Sequence, residues 1–243
     1  LAGGGGDDQL FGEGHDDHLV GGEGNDHLSG GSGADRLEGG AGNDVYLAAD
    51  REDLYGDNIQ DSAGTQDEIK YTGTDRLHLG NFSANNGIDQ IDVNGRALVG
   101  DNDVNHFDFS NVRFADDQQE IRVGHGADRV IGGLGSEVIK GHDHNDYLAG
   151  GGGSDQLFGE GHDDHLVGGA GNDLLSGGSG ADRLEGGSGN DTYLAADRED
   201  LYGDNIQDSG GAHDEIKYTG TDRLHLGNFS ANNGIDQIDV NGR

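Results

Sequence analysis

The sequence predicts an all-β solenoid, a coil of short stacked parallel strands, and three observations carry that expectation. A nine-residue unit, GGxGxD-x-U-x with U large and apolar, runs in phase through two stretches of the chain. Only 30% of the 243 residues are hydrophobic and 50 are glycine, which is too little apolar material for an ordinary layered core. Residues 148–243 also repeat residues 1–96 at an offset of 147, with 88 of 96 positions identical. A chain with a short period inside a long one builds by stacking like upon like.

The unit is cleanest at Gly21-Gly22-Glu23-Gly24-Asn25-Asp26-His27-Leu28-Ser29, and it continues through Gly30 to Glu38 and Gly39 to Leu47. Six residues make a turn and three make a strand. Glycine supplies the left-handed backbone the turn needs and lets its carbonyls converge. In the x-U-x strand side chains alternate faces, so only U points inward. Two units then make one coil, and Leu10, Leu19, Leu28, Leu37 and Tyr46 form a thin ladder of core residues.

Two arrays follow from this register. The first runs from Gly3 to Leu47, with sixth-place acids Asp8, Asp17, Asp26, Asp35 and Asp44. The second runs from Val123 to Leu194, with Asp128, Glu137, Asp146, Asp155, Asp164, Asp173, Asp182 and Asp191. Carboxylates combined with turn carbonyls form a hard oxygen set suited to Ca²⁺. The twelve aspartates are therefore the candidate metal ligands, with each ion between turns two units apart, such as Asp8 with Asp26 or Asp17 with Asp35. Such pairs number three in the first array and six in the second, so about nine Ca²⁺ or more are expected. Weaker sites are expected where the pattern departs: His15 and His162 at the fourth place, Glu137 at the sixth, His142 and His144 at glycine positions, and Val123 opening its unit.

These tandem units resemble the RTX, or repeats-in-toxin, family of secreted Gram-negative proteins. The likeness covers the two arrays, and the segments after them, with Asp57-Asn58-Ile59-Gln60-Asp61 and Asp67-Glu68-Ile69, look like the family's array ending. The resemblance implies a right-handed parallel β-roll stabilised by Ca²⁺, export by type I secretion, and a location outside the cell or at its surface. The C-terminal export signal of the family is not recognisable in this chain.

Charge agrees with an ion-dependent fold. The formal net charge is −34, and composition of this kind by itself predicts disorder through self-repulsion and poor burial. About nine Ca²⁺ would add about +18, and their binding energy would become folding energy. The acidity argues against nucleic acid as a partner, and no apolar run is long enough to insert into a membrane. Cysteine is absent, so ions rather than disulfides are expected to hold an extracellular chain.

Between the arrays, residues 68–122 carry short alternating runs such as Ile69-Lys70-Tyr71, Leu77-His78-Leu79, Phe107-Asp108-Phe109 and Val112-Arg113-Phe114, punctuated by Asn94-Gly95. They read as β-rich spacer rungs that continue the coil, with a small separate sandwich as the alternative. A short helix is a candidate at Ala48–Asp53. The expected organisation is an array with its ending over 1–67, a spacer over 68–122, a second array with its ending over 123–214, and the start of a second spacer over 215–243. The large, nearly identical blocks, and a start and stop inside the repeat, point to a segment of a longer tandem protein.

Histidine offers a second metal hypothesis. His15-Asp16-Asp17-His18, its copy at His162 to His165, and His142-Asp143-His144 contain ligands for Zn²⁺. The stacking register sets Arg36 beside His18, which favours solvated surface side chains. Acid pairs are explained by calcium ligation, and neither a G-x-S-x-G elbow nor an H-E-x-x-H motif occurs, so no enzyme is expected. An ice-binding file is excluded by the irregular outward row Gln9, His18, His27, Arg36 and Val45. Phe11, Val20, Phe158 and Val167 point outward, toward neighbouring blocks or other copies. The expected role is a calcium-dependent structural stalk of an adhesin, matrix or surface-layer protein, whose surface contacts a cell-surface ligand or its own copies. The alternative is a folding and secretion appendage of a toxin or hydrolase.

Overall fold

A computed structural model describes residues 1–196, 200–221, 223–226 and 234–240. Residues 197–199 of the second array's ending, and 222, 227–233 and 241–243 of the second spacer, lie outside the described residues. The fold is all-β with parallel pairing, a parallel β-roll, and it contains two compact units.

The first unit holds Leu1–Gly100 and His106–Gln119. One sheet stacks Ala2–Gly5, His18–Glu23, Arg36–Ala41 and Asn58–Gln60. The other stacks Gln9–Phe11, His27–Ser29, Val45–Ala48, Glu68–Tyr71, Gln90–Asp92 and Arg113–Phe114. Within the array Leu19 pairs with Leu37 and Leu10 with Leu28, so each residue stacks on the one two units later. The physical cause is that consecutive units take opposite sides of the coil. Past the array the coil widens: Leu37 pairs with Ile59, Tyr46 with Ile69, and Ile69 with Ile91. The spacer strands thus keep the sheet while their connections lengthen. Leu19, Leu28, Leu37 and Tyr46 are fully buried, and the polar strand residues beside them face outward.

The second unit holds Asp101–Asn105 and Glu120–Arg243. Arg129–Ile131, Tyr147–Gly152, His165–Ala170, Arg183–Ser188 and Asn205–Gln207 stack in one sheet. Glu137–Asp143, Gln156–Gly161, Leu174–Ser179, Thr192–Ala195, Glu215–Tyr218 and Gln237–Asp239 stack in the other. Its ladder of fully buried residues includes Val130, Leu148, Leu166 and Leu184 on one side and Ile139, Leu157, Leu175 and Tyr193 on the other.

The helix candidate at Ala48–Asp53 is instead the end of a strand followed by a turn. Asp53 explains this: its Oδ2 accepts the N–H groups of Ala49 (2.7 Å) and Asp50 (3.0 Å), tying the amides into a loop. Among the described residues the helical segment is a single 3₁₀ turn at Ala84–Asn86. No described helix is long and apolar enough to cross a membrane.

Candidate metal centre

Each turn places its sixth residue two positions before the inward U and so on the same face of the chain, and the acid's side chain lies against its stacked neighbour. The twelve predicted aspartates form rows along the coils. Asp8 and Asp17 are half-buried and the other ten are buried.

Where a same-side repeat turn precedes it, a carboxylate's two oxygens do different things. One accepts the backbone N–H of the sixth-place residue on the preceding same-side turn. Asp8 N–H donates to Asp26 Oδ1 at 2.8 Å, and Asp26 N–H to Asp44 Oδ1 at 2.7 Å. In the second unit Asp128 N–H donates to Asp146 Oδ1, Asp146 to Asp164, and Asp164 to Asp182, each at 2.8 Å. The other oxygen is left without any hydrogen-bond partner while buried. This holds for Oδ2 of Asp26, Asp35, Asp44, Asp146, Asp155, Asp164, Asp173, Asp182 and Asp191, and of half-buried Asp8. A buried ionised oxygen without a partner is strongly unfavourable, and a row of them calls for compensating cations.

Glycine carbonyls meet these oxygens. A Cβ placed on Gly21 would strike both Asp26 Oδ2 and the carbonyl oxygen of Gly39, two units on. The same arrangement occurs at Gly159, with Asp164 Oδ2 and the Gly177 carbonyl, and at Gly168, with Asp173 Oδ2 and the Gly186 carbonyl. The first glycine of these units therefore leaves room for a small oxygen-lined cradle that a side chain would fill.

A family model of the RTX calcium-binding nonapeptide repeat matches residues 1–28, 11–46, 124–157 and 158–193. The chain carries RTX calcium-binding repeats. Among curated proteins none matches it. RTX repeats bind calcium, and the residues present fit that ion: unpartnered buried carboxylate oxygens, facing carbonyls, and no soft donor. Asp26, for example, would hold an ion through Oδ2 together with the Gly39 carbonyl. The ion would supply the positive charge the row lacks.

Further clips hold the turns of the RTX arrays together. Fifth-place side chains reach the opposite way from the sixth-place acids: Asn25 N–H donates to Asp7 Oδ1 and Asn43 N–H to Asn25 Oδ1, both at 2.8 Å. The turns also keep their path where glycine is missing. His15, His142, His144 and His162 hold φ of 76°, 78°, 82° and 81° despite carrying a Cβ. Each such residue costs roughly 1–2 kcal/mol relative to glycine.

Burial pushes several carboxyls of the second row upward. Asp164 rises to about 8 and Asp146 to about 7, in both cases chiefly from desolvation, partly offset by the donated N–H and reinforced by neighbouring acids. Asp182 and Asp191 rise to about 6 for the same leading reason. Glu137 is raised by burial and by the charge of Asp155. It takes the place of aspartate in the row, with its N–H donating to Asp155 Oδ1 at 2.7 Å and its own Oε1 buried and unpartnered. Its Oε2 accepts the Gly133 N–H at 3.1 Å, and its unpartnered Oε1 makes Glu137 a further candidate ligand.

The sequence placed the array endings but did not count their acids among the ligands. Asp57 and Asp204 continue the row, accepting N–H groups from Asp35 (2.8 Å) and Asp182 (3.0 Å), with Oδ2 buried and unpartnered. Burial pushes both to about 7. Their signal was the D-x-U rhythm of Asp57-Asn58-Ile59, which falls outside the nine-residue phase.

The histidines are engaged elsewhere. His18 meets Glu38 at 2.7 Å, His165 meets Glu185 at 2.8 Å and His142 meets Glu160 at 2.9 Å, while His144 stacks on His162 with centroids 5.3 Å apart. Among the described residues, the groups of three or more converging metal-ligating side chains contain only aspartates.

Proposed function

We propose that this chain is a calcium-gated stiffening module of a secreted or cell-surface protein, with a structural rather than catalytic role. The observation that carries this reading is the row of buried carboxylate oxygens with no partner. Without cations the stacked turns repel, and the chain at −34 is unfolded and exportable. Calcium at roughly millimolar levels, typical for extracellular modules, closes the turns rung by rung. The 147-residue block supports a stalk, because near-identical blocks add length without adding chemistry. The surrounding protein in this reading is an adhesin, matrix or surface-layer protein of a Gram-negative cell.

Circular dichroism during calcium titration from chelator tests the reading. The expected result is a cooperative gain of β signal with calcium. A chain that is already fully β in chelator would overturn it.

A further inference from the structure

Each array exits through a carboxylate that the repeat does not contain. In the first unit the last repeat acid is Asp44, and the next coil stacks Asp67 on it, with the Asp44 N–H donating to Asp67 Oδ1 at 2.9 Å. A third acid, Asp61, enters from the loop between them. Ligating oxygens of Asp44, Asp61 and Asp67 all lie within 4.8 Å of one another. Asp44 is 0% exposed and its Oδ2 has no hydrogen-bond partner. That oxygen, Asp61 Oδ2 and the Tyr46 hydroxyl converge over Gly39, where an added Cβ would strike all three.

Tyr46 holds the arrangement. Its hydroxyl accepts the Gly39 N–H at 2.8 Å and donates to Asp61 Oδ2 at 2.7 Å, so Asp61 is fixed toward the other two acids. The second unit repeats the arrangement with Asp191, Asp208 and Asp214, and the Tyr193 hydroxyl donates to Asp208 Oδ2 at 2.8 Å. The ion pairs of the described residues involve none of these six acids. Three carboxylates thus converge in each unit, with His213 beside Asp214 in the second, around an Asp44 or Asp191 oxygen that has no hydrogen-bond partner.

We infer that each triad holds a further hard divalent cation, in addition to those between repeat turns. The site joins the last narrow coil to the first wide one. It rests on the calcium reading above, and it adds a ligand, Asp61 or Asp208, that no repeat supplies. Three charges in place of two make it a stronger site than its neighbours, since ligand charge sets affinity for such ions.

The test uses the whole 243-residue chain and its Asp61→Asn, Asp208→Asn double variant, with calcium as the probe. Asparagine keeps an acceptor for the tyrosine hydroxyl while removing the charge. Calcium uptake, counted by equilibrium dialysis, should fall by two ions per chain, one for each triad, with the calcium-induced β signal retained. An unchanged count in a folded variant overturns the inference and leaves the calcium reading standing. An unaltered chain that takes up no calcium overturns the calcium reading itself. If the variant does not fold, anomalous scattering from crystals of the unaltered chain grown in calcium decides. A peak bounded by Asp44, Asp61 and Asp67 supports the site, and peaks at the repeat turns with none at the triad overturn it.

Discussion

The RTX array and the spacer rungs of the first unit share one sheet but are held by different forces. In the array each rung contributes one inward side chain, Leu28 or Leu37 for example, and the rungs of Asp8, Asp26, Asp35 and Asp44 add a buried carboxylate oxygen without a partner. In the spacer the coil is wider and carries an aromatic cluster. Phe109 packs against Phe82, Phe107 and Phe114 with centroids 5.0, 5.7 and 5.3 Å apart, beside buried Ile88, Ile91 and Val112. Between Asp57 and Asp128 no described carboxylate oxygen is both buried and unpartnered. A narrow coil has no room for a real core, so ions must hold it, whereas a wide coil encloses enough apolar surface to hold itself.

Calcium withdrawal should break this comparison most sharply. A site at a hundredfold excess over its dissociation constant contributes about 2.7 kcal/mol, and several such sites exceed the stability of an ordinary domain. Hydrogen exchange in chelator should show array amides at 18–47 and 129–194 losing protection, while 77–114 retains part of its own. Equal loss in both regions would mean that the aromatic cluster does not hold the spacer.

Paired substitutions sharpen the contrast. Phe109→Ala should cost about 3–5 kcal/mol, seen as a lower melting temperature of the spacer with or without calcium. Asp26→Ala should instead remove or weaken the two ions shared with Asp8 and Asp44, and its effect should appear only when calcium is present. If calcium stoichiometry is unchanged in Asp26→Ala, the stacking register does not describe the ion sites.

The smallest effect is the response to pH in chelator. Asp164 at about 8 and Asp146 at about 7 bind their protons more tightly in the fold than in the unfolded chain. The cost of ionising them is therefore fully present above the folded value and shrinks as pH falls toward the unfolded value of about 4. Array β signal in chelator should rise between about pH 8.5 and about pH 5. In calcium the sign reverses, because protons compete with the ion. A flat profile in chelator would show that burial of the row is not what opposes folding.

Much of the site was legible in the chain because strict phase converts directly into stacking. Gly22 pairs with Gly40 and His18 with Arg36, as a two-unit coil requires. Asp57, Asp61 and Asp67 were harder to read. The step from Asp44 to its stacked partner Asp67 is 23 residues instead of 18, so counting in nines loses them. Asp57 and Asp67 keep a D-x-U signature, but Asp61 has none, and only Tyr46 and Gly39 place it.

Taken alone, the sequence determined the period, the inward ladder of leucines, the two-unit stacking and the oxygen chemistry of the turns. All of these follow from alternation along a strand and from where glycine permits a left-handed turn. Only the tertiary structure decided how each carboxylate divides its oxygens, one to the preceding turn's N–H and one left unpartnered beside a glycine carbonyl. It also decided which acids beyond the arrays converge on the last turn. Those outcomes depend on the distance between stacked coils, and that distance is set by packing across residues far apart in the chain.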